Sequence, residues 1–195
     1  MGLYSADVSA AFDRVHSGIL IMKLHNAGVH PDVVEVVRDW LSGRSGKVIV
    51  GGASSDTIEM LNMVFQGTTW GPPLWNLHFS DSSAPIFRCG FSEIKFADDL
   101  NAFRSFSNSV SNDTVFWHLY RCQSEVHSSG RANAISFDDA KEKFRVLSHV
   151  HPHGASFKSL GITLDCKLSM IEAIAECAVE AHWRLTAILR ARRFF

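Results

Sequence analysis

Long apolar runs are what this chain has least of. The longest uninterrupted aliphatic stretch is Ile19-Leu20-Ile21-Met22, far below the ~20 residues a membrane-spanning helix needs. No charged-then-apolar leader opens the sequence, so the expectation is an intracellular protein, neither inserted in a membrane nor secreted. Cys89, Cys122, Cys166 and Cys177 contain no C-x-x-C pair, which excludes a zinc knuckle or a dithiol redox motif and leaves reduced thiols. Gly43 to Lys47 is glycine-rich but lacks the spacing of a phosphate-binding loop. Met1-Gly2 is followed by Ser5 and Ala6, which puts the hydroxyl one place too early for a myristoylation signal. A surplus of positive charge is missing too: 19 Lys and Arg against 20 Asp and Glu give a net charge of −1. Clustered Lys and Arg are what draw a phosphate backbone, so a weak unaided grip on nucleic acid is expected. The exception is Arg184, Arg190, Arg192 and Arg193, on a helical stretch where they face either phosphate or solvent.

With 195 residues and 46% apolar content, the chain is long enough for one compact domain, which at this size buries around 70% of its unfolded surface. A helix is expected from Ser17, as N-cap, to Gly28, and a second from Pro31 through Val33, Val34, Val36, Val37, Trp40 and Leu41 to Gly43. Lys47–Val50 and Thr57–Leu61 read as a hairpin across Gly51-Gly52. Pro72-Pro73 opens a helix running to about Ser82, and Phe87 to Phe103 supplies two strands. A helix over 113–127 is followed by strands near Ala134–Phe137, Phe144–Leu147 and Phe157–Leu164, and one amphipathic helix spans Met170–Arg193. His149, His151 and His153 alternate as strand ligands would, yet Pro152 and Gly154 mark that stretch as a polar loop. The fold class expected from this mixture is α+β: an antiparallel sheet with helices packed on one face.

Asp98 and Asp99 stand between two apolar runs in Ile94-Lys95-Phe96-Ala97-Asp98-Asp99-Leu100-Asn101-Ala102-Phe103. Two carboxylates ~4 Å apart repel by about 4 kcal/mol at an effective dielectric near 20, a strain that a divalent cation relieves. Alone, such a pair is ordinary turn chemistry. Company changes the reading. Asp7 ends the apolar run Leu3-Tyr4-Ser5-Ala6, and Phe12 follows it in Asp7-Val8-Ser9-Ala10-Ala11-Phe12-Asp13. Between the acidic sites lies Gln66-Gly67-Thr68-Thr69-Trp70-Gly71-Pro72-Pro73-Leu74. Beyond them come Phe137-Asp138-Asp139-Ala140-Lys141-Glu142 and Phe157-Lys158-Ser159-Leu160-Gly161.

That order resembles the palm of reverse transcriptases, in particular those of non-LTR (LINE-like) retrotransposons, with D-x-x-x-A-F-D, Q-G-x-x-x-G-P-x-L, A-D-D, N-x-x-K-T and L-G motifs. Glu142 stands where that family prefers a small hydroxyl residue, and Phe65 where it has Pro. The resemblance covers Asp7 to about Leu168 and implies a partial palm over residues 1–168. Residues 169–195 then form a C-terminal helix at the start of a thumb or connection. Six residues precede Asp7, and the implied reading is a fragment without the fingers or a complete thumb.

The implied activity is RNA-directed DNA polymerisation, the transfer of dNMP to a primer 3′-hydroxyl at two Mg²⁺ (or Mn²⁺) ions, with an RNA template, a DNA primer and a dNTP as partners. By resemblance, Asp7 and Asp98 bridge the metals, Asp99 is a less direct ligand, and the Val8 carbonyl contributes. Hard oxygen donors of this kind suit Mg²⁺. Asp13 is structural. The resemblance makes Phe12 a gate against the 2′-hydroxyl, though on residues alone it is a core aromatic. It sets Gln66 and Gly67 against template and incoming base, with Phe96 and Ala97 leading the acidic pair. Lys141 is either a solvated charge or a proton donor to the leaving pyrophosphate. Leu160-Gly161 either starts a hairpin gripping the primer or is an ordinary core strand. Two alternatives remain: a group II intron maturase palm, and a non-catalytic remnant serving as a structural or RNA-interaction module.

Overall fold

The computed structural model describes residues 1–159 and 161–191. Its centre is β1 (Gly2–Asp7), followed by the helices α1 (Ser17–Asn26) and α2 (Pro31–Leu41). Short strands β2 (Ser45–Gly46), β3 (Ile49–Val50), β4 (Ala53–Ser54) and β5 (Ile58–Glu59) lead to α3 (Gly71–Phe79) and α4 (Ser83–Arg88). Then come β6 (Ser92–Phe96), β7 (Asp99–Arg104), the long α5 (Asn112–Ala132), β8 (Lys143–Val146), β9 (Phe157–Ser159), β10 (Ile162–Leu164) and α6 (Ile171–Ala191).

The main sheet is antiparallel throughout, in the order β6-β7-β1-β8. Strand side chains alternate between faces, and here the two faces differ in chemistry. Tyr4, Ala6, Leu100, Ala102 and Val146 turn toward the helices and join Leu119, Cys122 and Val126 of α5 and Leu74, Trp75 and Phe79 of α3 in the main core. Ser5, Asp7, Asp99, Asn101, Lys143 and Arg145 occupy the opposite face, because the register sets Asp7 against Asp99, Ser5 against both Asn101 and Lys143, and Leu3 against Arg145. At the far end of that face Leu3, Leu147 and Cys166 form a small second core with Phe103 and Phe157. The expected α+β fold, with an antiparallel sheet and helices on one face, is therefore present.

Several local expectations shift. His16, not Ser17, caps α1, its ring accepting the Ile19 N–H at 3.3 Å. The predicted hairpin is split into two tiny ladders, β2 with β5 and β3 with β4, since Gly51 and Gly52 close a tight turn at φ of 59° and 85°. Residues 134–137 form no strand. Only an isolated bridge joins Phe137 to Val8, because Ala134 turns the backbone with φ at +56° and the Ile135 N–H donates to the Gly130 carbonyl at 2.8 Å, closing the end of α5. Helix α5 runs past residue 127 to Ala132, and Ala173 is the one buried residue of α6. No described helix is long and apolar enough to cross a membrane.

Candidate active site

The sheet register carries Asp7 to the Asp98-Asp99 turn. Asp7 and Asp99 are direct partners in the β1–β7 ladder, and the Val8 N–H donates to the Asp98 carbonyl at 3.3 Å. Ala97 makes the bend between β6 and β7 with φ at +54°. The Trp75 indole N–H of α3 donates to the Ala97 carbonyl at 2.8 Å, so the acidic turn is tied to the helical layer. Trp75 also packs on Phe12, with ring centroids 5.7 Å apart.

Opposed like charges in a ladder destabilise it, and the consequence falls on Asp99. Partial desolvation first, then the charges of Asp98 and Asp7, push its carboxyl above the usual carboxylate range, while Lys141 pulls the other way. The Lys141 ammonium lies 2.7 Å from Asp7 Oδ2 and 3.9 Å from Asp138 Oδ2. Its bond to Asp7 raises the Lys141 pKa.

Two clefts meet along Asp7 and Lys141. One, of about 330 Å³, is lined by Val8, Phe12, Gln66, Ala97, Asp98 and Asp138 among others. The other, of about 250 Å³, takes in Asp99, Asn101, Phe96, Lys143, Arg145 and Lys158. Asp98 and Asp99 thus open on different clefts, with Asp7 common to both. Every predicted site residue except Gly67 lines one cleft or the other. Gly67 lies beside Gln66 with φ at +86°, and a Cβ there would meet nothing within 4 Å, so it is the backbone angle that calls for glycine. Phe96 projects into solvent on the open face.

Three carboxylates gathered at one end of a sheet, one of them raised by partial desolvation and then by its neighbours' charge, are hard oxygen donors whose mutual repulsion a divalent cation removes. The residues present fit a magnesium site on that ground. The three do not form the tightest acidic group, however. Among the described residues, the three potential ligands whose atoms all lie within 4.8 Å of one another are His127, Asp139 and Glu142. Sequence reasoning missed that group, and nothing in its spacing marks it.

It also missed the basic lining. Lys143 and Arg145 continue the alternation begun by the motif residue Lys141, a signal for one strand face, and the β9–β10 hairpin adds Lys158. Of the C-terminal arginines expected to face either phosphate or solvent, Arg184 pairs with Glu180 at 2.5 Å, and Arg192 and Arg193 lie outside the described residues. So does Leu160 of the predicted primer hairpin, whose strands β9 and β10 nonetheless pair. In the histidine loop, Val146 and His153 bridge their backbones.

Comparison with known proteins places the site in context. The family model described as Reverse transcriptase (RNA-dependent DNA polymerase) matches residues 2–164. Among solved structures, the chain is similar to an apo telomerase from Candida tropicalis truncated from its C-terminal domain, with a TM-score of 0.62 and 13% identity. That likeness covers 87% of this chain and 34% of the telomerase chain. No curated protein matches.

Proposed function

Because the chain belongs to the reverse transcriptase (RNA-dependent DNA polymerase) family, we propose that residues 1–168 form the palm of an RNA-directed DNA polymerase of non-LTR, LINE-like type. The observation that carries this reading is the antiparallel pairing that sets Asp7 against Asp99, with Asp98 in the adjoining turn. Asp7, Asp98 and Asp99 would hold two Mg²⁺ ions. Such ions would supply charge neutralisation for the triphosphate and for the developing oxyanions.

The chain's own residues do the rest. Phe12, braced by Trp75, walls the cleft that Asp98 and Gln66 share and leaves a deoxyribose, not a ribose, the space beside it. Gln66 lies along the template and incoming base, and the open space before Gly67 receives them. In the second cleft the exposed Lys143 and Lys158 face the sugar–phosphate backbone of the primer end, the charge-assisted pairing that phosphates favour, while Arg145 lines the cleft from beneath, buried over the Phe157 ring. Lys141, exposed and paired with Asp7, is placed to donate a proton to the departing pyrophosphate.

The test is extension of oligo(dT) on poly(rA) with Mg²⁺, by this chain and by a version joined to an upstream fingers segment, each against Asp98→Ala. Incorporation that Asp98→Ala abolishes supports the reading. A second reading, a non-catalytic palm that binds RNA, is favoured by the Lys141–Asp7 ion pair, which already neutralises one carboxylate. It predicts RNA binding without extension in either version. Extension only within a spliced intron ribonucleoprotein would instead support the maturase lineage.

A further inference from the structure

Glu142 is buried, one of few charged side chains that are, and both its carboxylate oxygens are engaged. Oε1 accepts from the Tyr4 hydroxyl at 2.7 Å and lies 2.6 Å from His127 Nε2. Oε2 accepts from the Gln123 side-chain amide. A metal ion placed among His127, Asp139 and Glu142 would have to displace these partners, so the group is an anchor and not an ion site.

What it anchors is the turn that carries Lys141, and both ends of that turn are fastened to β1. At one end the Asp138 N–H donates to the Asp7 carbonyl at 3.0 Å. At the other, Glu142 holds Tyr4 on the same strand. Between them the N–H groups of Lys141 and Glu142 both donate to the Asp138 carbonyl, at 2.9 and 3.1 Å. Lys143 Nζ adds a bond to the Ala140 carbonyl at 2.7 Å. Across the helical layer, His127 stacks on Phe137 with centroids 5.1 Å apart, which fixes the approach to the turn.

A lysine on a loose loop spreads its ammonium over many rotamers and loop positions. Here the backbone beneath it is pinned at two places on the strand that bears Asp7. We propose that Glu142 is a positioning residue: by joining the 138–142 turn to Tyr4, Gln123 and His127, it sets the Lys141 ammonium at the edge of the acidic site. The placement stands on the contacts themselves, while the use made of Lys141 rests on the polymerase reading above.

Carbodiimide coupling reads the placement without any activity. The reagent activates the Asp7 carboxylate, the Lys141 amine attacks it, and an amide forms as the urea leaves. Digestion and mass spectrometry then report an Asp7–Lys141 isopeptide. The native chain and Glu142→Gln, which keeps an acceptor for Tyr4, should give it. Glu142→Ala should lose it about fivefold or more while circular dichroism and cooperative melting persist. Should Glu142→Ala fail to fold, Tyr4→Phe removes one anchor and leaves the ring stacked on Phe144, and it should lower the yield about twofold.

A native-level isopeptide yield in a folded Glu142→Ala, or in Tyr4→Phe where Glu142→Ala does not fold, overturns the proposal. In primer extension, Glu142→Ala should cut kcat with KM unchanged, and should do nothing further in a Lys141→Ala background. An equal fall in both backgrounds marks a general structural role and contradicts the positioning. Formation of the isopeptide with no primer extension, either by this chain or by the version joined to a fingers segment, refutes the polymerase reading and leaves this inference standing.

Discussion

Acid should weaken this protein through a buried imidazole. His78 on α3 is fully buried, and neither ring nitrogen has a hydrogen-bond partner. Burial, and after it the positive charges of Lys23 and His16, lower its pKa from 6.5 to about 4, with Asp81 opposing. Lys23 is itself buried, donates to the His78 carbonyl and pairs with Asp81 at 3.0 Å. The unfolded chain takes up the proton below pH 6.5, while the folded chain refuses it until about 4. The contribution is therefore complete above pH 6.5 and is lost as pH falls toward 4. At roughly 1.4 kcal/mol per pKa unit, the loss by pH 4.5 is about 2 to 3 kcal/mol.

Urea unfolding followed by circular dichroism at pH 7.5, 6.0, 5.0 and 4.5 measures it, native chain against His78→Leu. Whatever is common to both proteins cancels in the difference. The native chain should lose about 2 to 3 kcal/mol more than the variant across that range. Parallel pH profiles would refute the reasoning.

Three further outcomes follow from the same geometry. Phe12→Ala in an actively extending protein should admit ribonucleotides, scored by alkali-labile product; an unchanged sugar preference counts against the gate. Gly67→Ala should cost about 1 kcal/mol or more in urea unfolding, because the φ there is positive although the space is open; a neutral result would mean the turn relaxes freely. Asp99→Asn, which removes the charge opposite Asp7, should raise or hold the melting temperature in EDTA and abolish the rise that Mg²⁺ gives the native chain, as read by calorimetry.

Much of the fold was legible because it is written in periodicity. The Val-rich face of α2, the Pro31 start and the alternation in β1 and β7 each follow from local chemistry. What sequence missed depends on partners that sequence does not list. Residues 134–137 have strand-like composition but no ladder, since Ala134 takes a positive φ and Ile135 spends its N–H on closing the end of α5. The cap of α1 moved to His16 because an imidazole nitrogen can accept as a hydroxyl does.

At the site, the carboxylates and Phe12 could be named from motif order, but the split between clefts could not. It takes the turn at Ala97 to direct Asp98 to one side and Asp99 to the other. Glu142 looked like a mere departure from a pattern. Its partners Tyr4, Gln123 and His127 lie on two other elements, and only folding brings them together.

Mn²⁺ titrated into the isotope-labelled chain tests the central claim most directly, because paramagnetic broadening reports where a divalent ion resides whether or not a primer is extended. Amide signals of residues 7–8 and 97–100 should vanish first, and Asp98→Ala should leave them sharp. Broadening centred on His127, Asp139 and Glu142, with residues 97–100 untouched, would contradict the account.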